Sequence, residues 1–235
     1  MTRHALLNNV DHKDLRIVTR PGARYGDDQM SALTFPAEFR AVQAHYPIVF
    51  SKAQDGTGFY PLALFGVQEG ENLFLDGDTW DGYIPLAVRR QPFLIGRNGD
   101  ELMLHVDLDS PRVGTTEGEA VFLPHGGSTE YLEGVNEVLS ALHRGLEATP
   151  AFVEALLRHE LLESFVLDIE LDDGSQNRLA GLYTIHEERL NALDGAALEQ
   201  LHRAGHLEAI YMVLASMTRF RALIDRKNRR HVHAG

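Results

Sequence analysis

The spacing of apolar residues changes once along this chain, and that change bounds the fold. Up to Leu123 the apolar runs are short: Leu15 to Val18, Ile48 to Phe50, Phe59 to Val67, Leu73 to Leu75, Pro92 to Ile95, Leu102 to Leu108 and Ala120 to Leu123. Turn formers such as Gly56, Gly58, Gly70, Gly77, Gly99 and Gly118 lie between them. Each run reads as a strand, and most gaps are too short for a crossover helix, which favours antiparallel over parallel pairing. Asn98-Gly99 predicts a tight hairpin. One early helix is expected, opened by Pro36, carrying Phe39, Val42 and Tyr46 on one face and stopped by Pro47.

After Gly127 the spacing becomes three or four residues. Leu132, Val135, Leu139, Leu142 and Leu146 predict an amphipathic helix from Thr129 to Glu147. Thr149-Pro150 predicts the start of another, with Thr as cap and Pro at the first position, continuing through Phe152, Val153, Leu156, Leu157 and Leu161. Phe165 to Leu171 alternates apolar and acidic residues, turns at Asp173-Gly174 and returns over Leu179 to Ile185 as a hairpin. Glu187 to Ala204, interrupted at Asp194-Gly195, and a last helix from Leu207 towards Arg229 close the chain. The fold class that follows is α+β: a mainly antiparallel sheet in the first half with packed helices from the second half. The expected organisation is an N-terminal extension or strand over 1–30, one α+β domain over 31–229 and a tail over 230–235.

With 235 residues, 44% apolar and 24% charged, the chain can bury a full core. Its net charge of -12 argues against sequence-independent binding to nucleic acid or to anionic membrane, both of which need clustered cations. The basic run Arg226, Lys227, Arg229 and Arg230 reads as a solvated helix end. There is no cysteine, so disulfides, thiolate metal sites and thiol nucleophiles are excluded. No stretch has the length of a signal-peptide apolar core or of a membrane span, so no membrane insertion and a cytoplasmic location are the expectation.

The segment Asn72 to Ile95 concentrates the unusual chemistry. It holds the single tryptophan, Trp80, among Asp76, Asp78 and Asp81, followed by Tyr83, Pro85 and the adjacent Arg89 and Arg90. Two readings are open. In one, Trp80 is buried and Arg89 or Arg90 neutralises Asp78 or Asp81. In the other, Trp80, Tyr83, Arg89 and Arg90, with Asp78 and Asp81, form an exposed anchor set of the kind that dominates protein interfaces.

Several stretches together resemble the SapC family, named for an S-layer-associated protein. They are YPIVFSK at Tyr46 to Lys52, LALFGVQEGENLFLD at Leu62 to Asp76, YIPLAVRRQPF at Tyr83 to Phe93, DLDSPRV at Asp107 to Val113, LAGLYTIHEERLNAL at Leu179 to Leu193 and HLEAIYMVLASMTRF at His206 to Phe220. They occur in the family's order, and the segment before Ser31 contributes little. The resemblance implies a bacterial protein associated with TonB-dependent receptors, cupin-like hydroxylases and tryptophan-halogenase-like flavoproteins, hence an accessory role in outer-membrane uptake or in modifying what is taken up. It implies no catalytic residue.

Other patterns were weighed for chemistry. His105 and Asp107 share a strand face and could hold two positions of a 2-His-1-carboxylate iron site, with His125 or His186 as the distal ligand and Arg112 pairing with a 2-oxoacid. Chance occurrence of H-x-D is common in a chain with twelve histidines. The segment His159 to Glu163 lacks the second histidine of the zincin motif and reads as solvated charge on a helix; Gly126 to Glu130 reads as a helix entry capped by Ser128 or Thr129. Asp76, Asp78 and Asp81 lack the remaining ligands of a calcium loop. No phosphate-binding glycine motif occurs. The expectation is a non-catalytic binding protein without a cofactor that recognises a protein or peptide partner, with a metal-dependent oxygenase using His105, Asp107 and His186 as the alternative.

Overall fold

A computed structural model describes residues 3–56, 58–98 and 101–234. The class is α+β, and the strand ladders are antiparallel. Two compact units make up the chain. The first comprises Met1–Asp27, Leu75–Trp80 and Leu86–Arg144; the second comprises Asp28–Phe74, Asp81–Pro85 and Gly145–Gly235.

The first unit is built from three small ladders. His4–Leu6 pairs with Glu101–Asp107, which pairs on its other side with Phe93–Asn98. Arg16–Ile17 lies between Val113–Gly114 and Glu119–Ala120. Leu75–Asp76 pairs with Thr79–Trp80. Asn98 pairs with Glu101 as a tight hairpin requires, while Gly99 and Asp100 of the expected turn lie outside the described residues. Strand alternation puts Phe93 and Val106 on one face, where they meet Leu15, Ile17 and Val121. Leu132, Val135 and Leu139 of the helix Glu130–Arg158 cover that face. Thr129 opens this helix: its Oγ1 accepts the Leu132 N–H at 3.3 Å and donates to the Ala120 carbonyl at 2.7 Å, as a cap should.

The second unit has one five-stranded sheet, in the order Leu162–Glu170, Gln176–Ile185, Ile48–Lys52, Phe59–Leu64 and Ser31–Leu33. Phe50 and Phe152 pack at 6.3 Å between ring centroids, Phe39 meets Phe152 at 5.9 Å, and Tyr46 meets Phe65 at 4.9 Å. Ile210 and Val213 of the helix His206–Ser216 are fully buried. Ser216, also fully buried, accepts the Ile48 N–H at 2.9 Å and donates to the Val213 carbonyl.

Three helical expectations are corrected. No break occurs at Thr149-Pro150: Glu130–Arg158 is continuous, with Pro150 inside it. Thr149 is buried and its hydroxyl donates back to the Gly145 carbonyl at 2.8 Å, so it does not cap a new helix. Proline removes one backbone bond, while apolar faces on both sides of it are buried, and that burial outweighs the lost bond. The helix ends at Arg158, so His159 and Glu160 form its exit and Glu163 already lies in a strand. Glu160 takes the left-handed conformation (φ 54), and the Leu161 N–H reaches the Leu156 carbonyl at 2.8 Å, a Schellman stop made without glycine. The single last helix is two, His206–Ser216 and Arg219–Ala234.

Gly145 is where propensity and packing disagree. A Cβ there would collide with the Phe35 ring. Alanine in a helix interior is ordinarily worth about 1 kcal/mol over glycine. Gly145→Ala is instead expected to lower stability by about 1–3 kcal/mol, the usual cost of overpacking, read as a shift in the urea midpoint; a gain would show that Phe35 yields without cost.

Candidate functional site

Within the stretch Asn72 to Phe93, Asp78, Asp81 and Arg90 are each held by a hydrogen bond or ion pair. Asn72, buried, accepts the Phe74 N–H at 2.9 Å and sets the entry. Leu75 opposite Trp80 and Asp76 opposite Thr79 leave Gly77 and Asp78 as a two-residue turn, with Gly77 at φ 56 as the first central position. The Asp78 carboxylate is then gripped by two arginines of its own unit, Arg20 at 3.3 Å and Arg24 at 3.3 Å. Trp80 is 7% exposed, so it is a packing residue.

Asp81, Gly82 and Tyr83 belong to the second unit and are fixed there. The Asp81 carboxylate receives Arg226 at 2.5 Å, and that guanidinium lies 4.2 Å from the Phe74 ring centroid. The Arg226 hydrogen bond holds the Asp81 carboxyl below its ordinary range. Gly82 has φ 125, and a Cβ there would press on the Tyr46 hydroxyl and the His45 ring. Tyr83 is tied at both ends. Its carbonyl accepts from the Tyr46 hydroxyl at 2.6 Å and its own hydroxyl donates to Glu38 at 3.0 Å. Glu38 is buried and takes a second hydroxyl, that of Thr34, at 2.8 Å.

The arginines of the stretch do other work than the one expected of them. Arg90 donates to the Phe93 carbonyl at 2.8 Å, and burial lowers its pKa. Arg89 ends the short helix Leu86–Arg89 and is exposed. The expected neutralisation of Asp78 and Asp81 does occur, but Arg20, Arg24 and Arg226 perform it in place of Arg89 and Arg90. Arg89 is the last residue of the helix and Arg90 follows it, and nearness in sequence does not place either on the carboxylates. The basic run likewise is not wholly solvated. Lys227 is buried, 2.5 Å from Glu71 and 3.1 Å from Gln68.

The candidate iron ligands have local roles. His105 and Asp107 share a face of Glu101–Asp107, as alternation requires. The His105 ring lies over Gly96, where any Cβ would collide with it, and its Nδ1 is 3.2 Å from the Met103 carbonyl. Asp107 accepts the Asp109 N–H at 3.1 Å and opens the turn that carries DLDSPRV. His186 belongs to the other unit, where it accepts the Arg189 N–H at 3.5 Å as a helix cap and lies 3.9 Å from Glu163. Among the described residues, no group of three or more His, Asp or Glu side chains is placed to hold a metal ion.

Arg112, set against a 2-oxoacid in the alternative reading, is already engaged. Its guanidinium donates to both Asp27 oxygens at 2.7 and 2.6 Å and to the Val18 and Arg20 carbonyls at 3.0 Å each. It also lies 5.2 Å from the Tyr25 ring centroid. The Asp27 side chain is 1% exposed. Neighbouring Tyr131 has its pKa raised to about 12, by burial first, with Arg112 opposing. No single pattern pointed to Asp27, Arg20, Arg24 or Glu38, because each is matched to its partner only by the fold.

The chain matches the SapC family model over residues 7–223 and belongs to that family. The match reaches back well before Ser31, into the segment that holds Asp27. No curated protein and no solved structure matches it.

Three outcomes follow from this geometry. Trp80→Ala is expected to cost about 3–5 kcal/mol, as for other buried aromatic truncations, in denaturant titration. Arg112→Ala strands a buried carboxylate and is expected to cost about 3–5 kcal/mol, most of it recovered when Asp27 is also replaced by Leu. Asp81 has a depressed folded pKa, so its contribution is complete above the ordinary aspartate value of about 4 and disappears as pH falls through the lower folded value. The carboxylate is 70% exposed, so Asp81→Asn should cost under about 1 kcal/mol at pH 7. That gap should close in acid; a gap that persists there would show the pair is not its source.

Proposed function

We propose that the chain is a non-catalytic accessory protein that recognises a protein or peptide partner, acting in the cytoplasm of a bacterium in support of surface-layer or TonB-linked outer-membrane uptake. Membership of the SapC family supports the setting through the associations that the resemblance implies. The observation that carries the binding reading is that exposed charged groups in this stretch are each held in place within their own unit. Asp78 and Asp81 stay accessible while each is pinned by arginine, and Tyr83 is anchored at both its carbonyl and its hydroxyl. A side chain already held in place loses little entropy on binding, and that loss otherwise opposes association.

Within the segment, the residues that offer themselves to a partner are Arg89 and Asp78 of the first unit and Asp81 of the second, where Tyr83 is half-buried. Trp80 and Arg90 support the segment from within and do not contact the partner. Arg89 is the anchor of this reading, because arginine is among the side chains most often central to an interface. A partner with an acidic or carbonyl-rich surface fits it.

The test is affinity capture from a native bacterial lysate with the wild-type chain, Arg89→Glu and Arg89→Ala. Arg89 is exposed, so both variants should keep their unfolding midpoint within about 0.5 kcal/mol. A specific protein retained by wild type and lost at least tenfold in Arg89→Glu is the expected outcome. Equal retention by all three forms would remove the segment from the interface.

A further inference from the structure

The five-stranded sheet of the second unit ends on Leu162–Glu170, a nine-residue strand that pairs only with Gln176–Ile185, from Leu162 opposite Ile185 to Glu170 opposite Gln176. Among the described residues, no backbone hydrogen bond from outside this hairpin reaches residues 162–170. Half of the strand's N–H and C=O groups therefore point away from the sheet, a template for one more strand. The inward face is packed: Ile169 is buried and Phe165 meets Phe220 at 5.8 Å between ring centroids.

The outward face is acidic. Asp168 and Glu170 are exposed on that face, and Asp172 and Asp173 stand at the tip; Glu163, also exposed, has the alternation of Phe165 and Ile169 and belongs to the other face. The hairpin from Leu162 to Ile185 carries these five carboxylates against one cation, Arg178. Arg178 pairs with Asp168 at 3.4 Å, with both groups largely in water. The register shifts between Phe165 and Leu167, leaving Val166 exposed between two regular runs.

We propose that Leu162–Glu170 is a docking edge for an extended, lysine- or arginine-rich segment of a partner protein, which adds to the sheet as a sixth strand. Charge selects the occupant. A second copy of this chain brings no cation to this edge, because Leu162–Glu170 contains no lysine or arginine. A strand with cations at alternate positions meets Asp168 and Glu170 with opposite sign while its backbone completes the ladder. This rests on the reading of the chain as a partner-recognising protein and adds to it a second surface, chemically opposite to Arg89.

The probe is a synthetic nine-residue peptide alternating lysine with valine and threonine, titrated into the full chain by calorimetry and by hydrogen exchange. The control is the same peptide N-methylated at alternate backbone amides, equal in charge but unable to form the ladder. The expected result is slowed exchange within residues 162–170, at least tenfold weaker binding of the methylated peptide, and at least tenfold weaker binding to Asp168→Asn/Glu170→Lys. The milder Asp168→Asn/Glu170→Gln should fall between, and Arg89→Glu should bind the peptide as wild type does. Unslowed exchange in this strand, equal binding of the methylated peptide, or a wild-type dimer that forms through this edge would each overturn the proposal. Loss of peptide binding in Arg89→Glu would show that the two surfaces are one.

Discussion

In the first unit, most of the loop structure converges on a carboxylate that water does not reach. Asp27 receives the Arg112 Nη2 on both of its carboxylate oxygens, and also accepts the Gly22 N–H at 2.8 Å. Arg112 in turn closes the carbonyls of Val18 and Arg20, so one guanidinium fixes three separate points of the chain. Tyr25 is packed beneath Arg112, Arg24 and Arg20, at 5.2, 4.8 and 5.7 Å from the three guanidinium carbons. Two of these arginines then reach out to Asp78, and Arg20 also reaches Glu117 at 2.5 Å. A buried pair of this kind adds little net stability over an apolar replacement, but it tolerates only one geometry. Positioning is its role here, since the short ladders of this unit define few contacts by themselves.

The DLDSPRV motif takes its meaning from that pair. Asp107 and Ser110 spend their oxygens on backbone N–H groups of the turn itself, at Asp109 and Arg112. The turn delivers Arg112 to Asp27. A motif that suggested metal and oxoacid chemistry is thus occupied in building a loop, and its histidine neighbour rests on a glycine across the strand. The second unit uses the same strategy with different groups: Glu38 is satisfied by two hydroxyls, and Lys227 secures the Glu71 loop. In both units a single buried charge organises a stretch that has no regular structure of its own.

The expectations that held are those with a short-range cause. The hairpin at Asp173-Gly174 forms because glycine reaches the left-handed conformation and alternating side chains have one buried face. The interruption expected at Asp194-Gly195 is present, and there Asp194 accepts the Ala197 N–H at 2.8 Å as cap of the helix Gly195–Arg203. The failures share a different cause. Thr149-Pro150 has all the features of a helix start, yet tertiary burial of Phe152 and Leu156 carries the helix through it. Among the site residues, the charge balance of Asp78 and Asp81 was legible as a need for arginine, whereas the choice of arginine depended on which elements the fold brings together.

Local chemistry written in the chain determined the class of fold, the hairpins and caps, and the existence of a central segment whose carboxylates require cations. Periodicity and turn propensity act over a few residues, so they survive without knowledge of the whole. The tertiary structure alone decided that Trp80 faces inward, that Arg112 belongs to Asp27, that Arg226 belongs to Asp81, and that Leu162–Glu170 ends its sheet. Those assignments pair groups as many as 145 residues apart in sequence, and a Coulombic or hydrogen-bonded partner at that separation is selected by packing rather than by any pattern in the sequence.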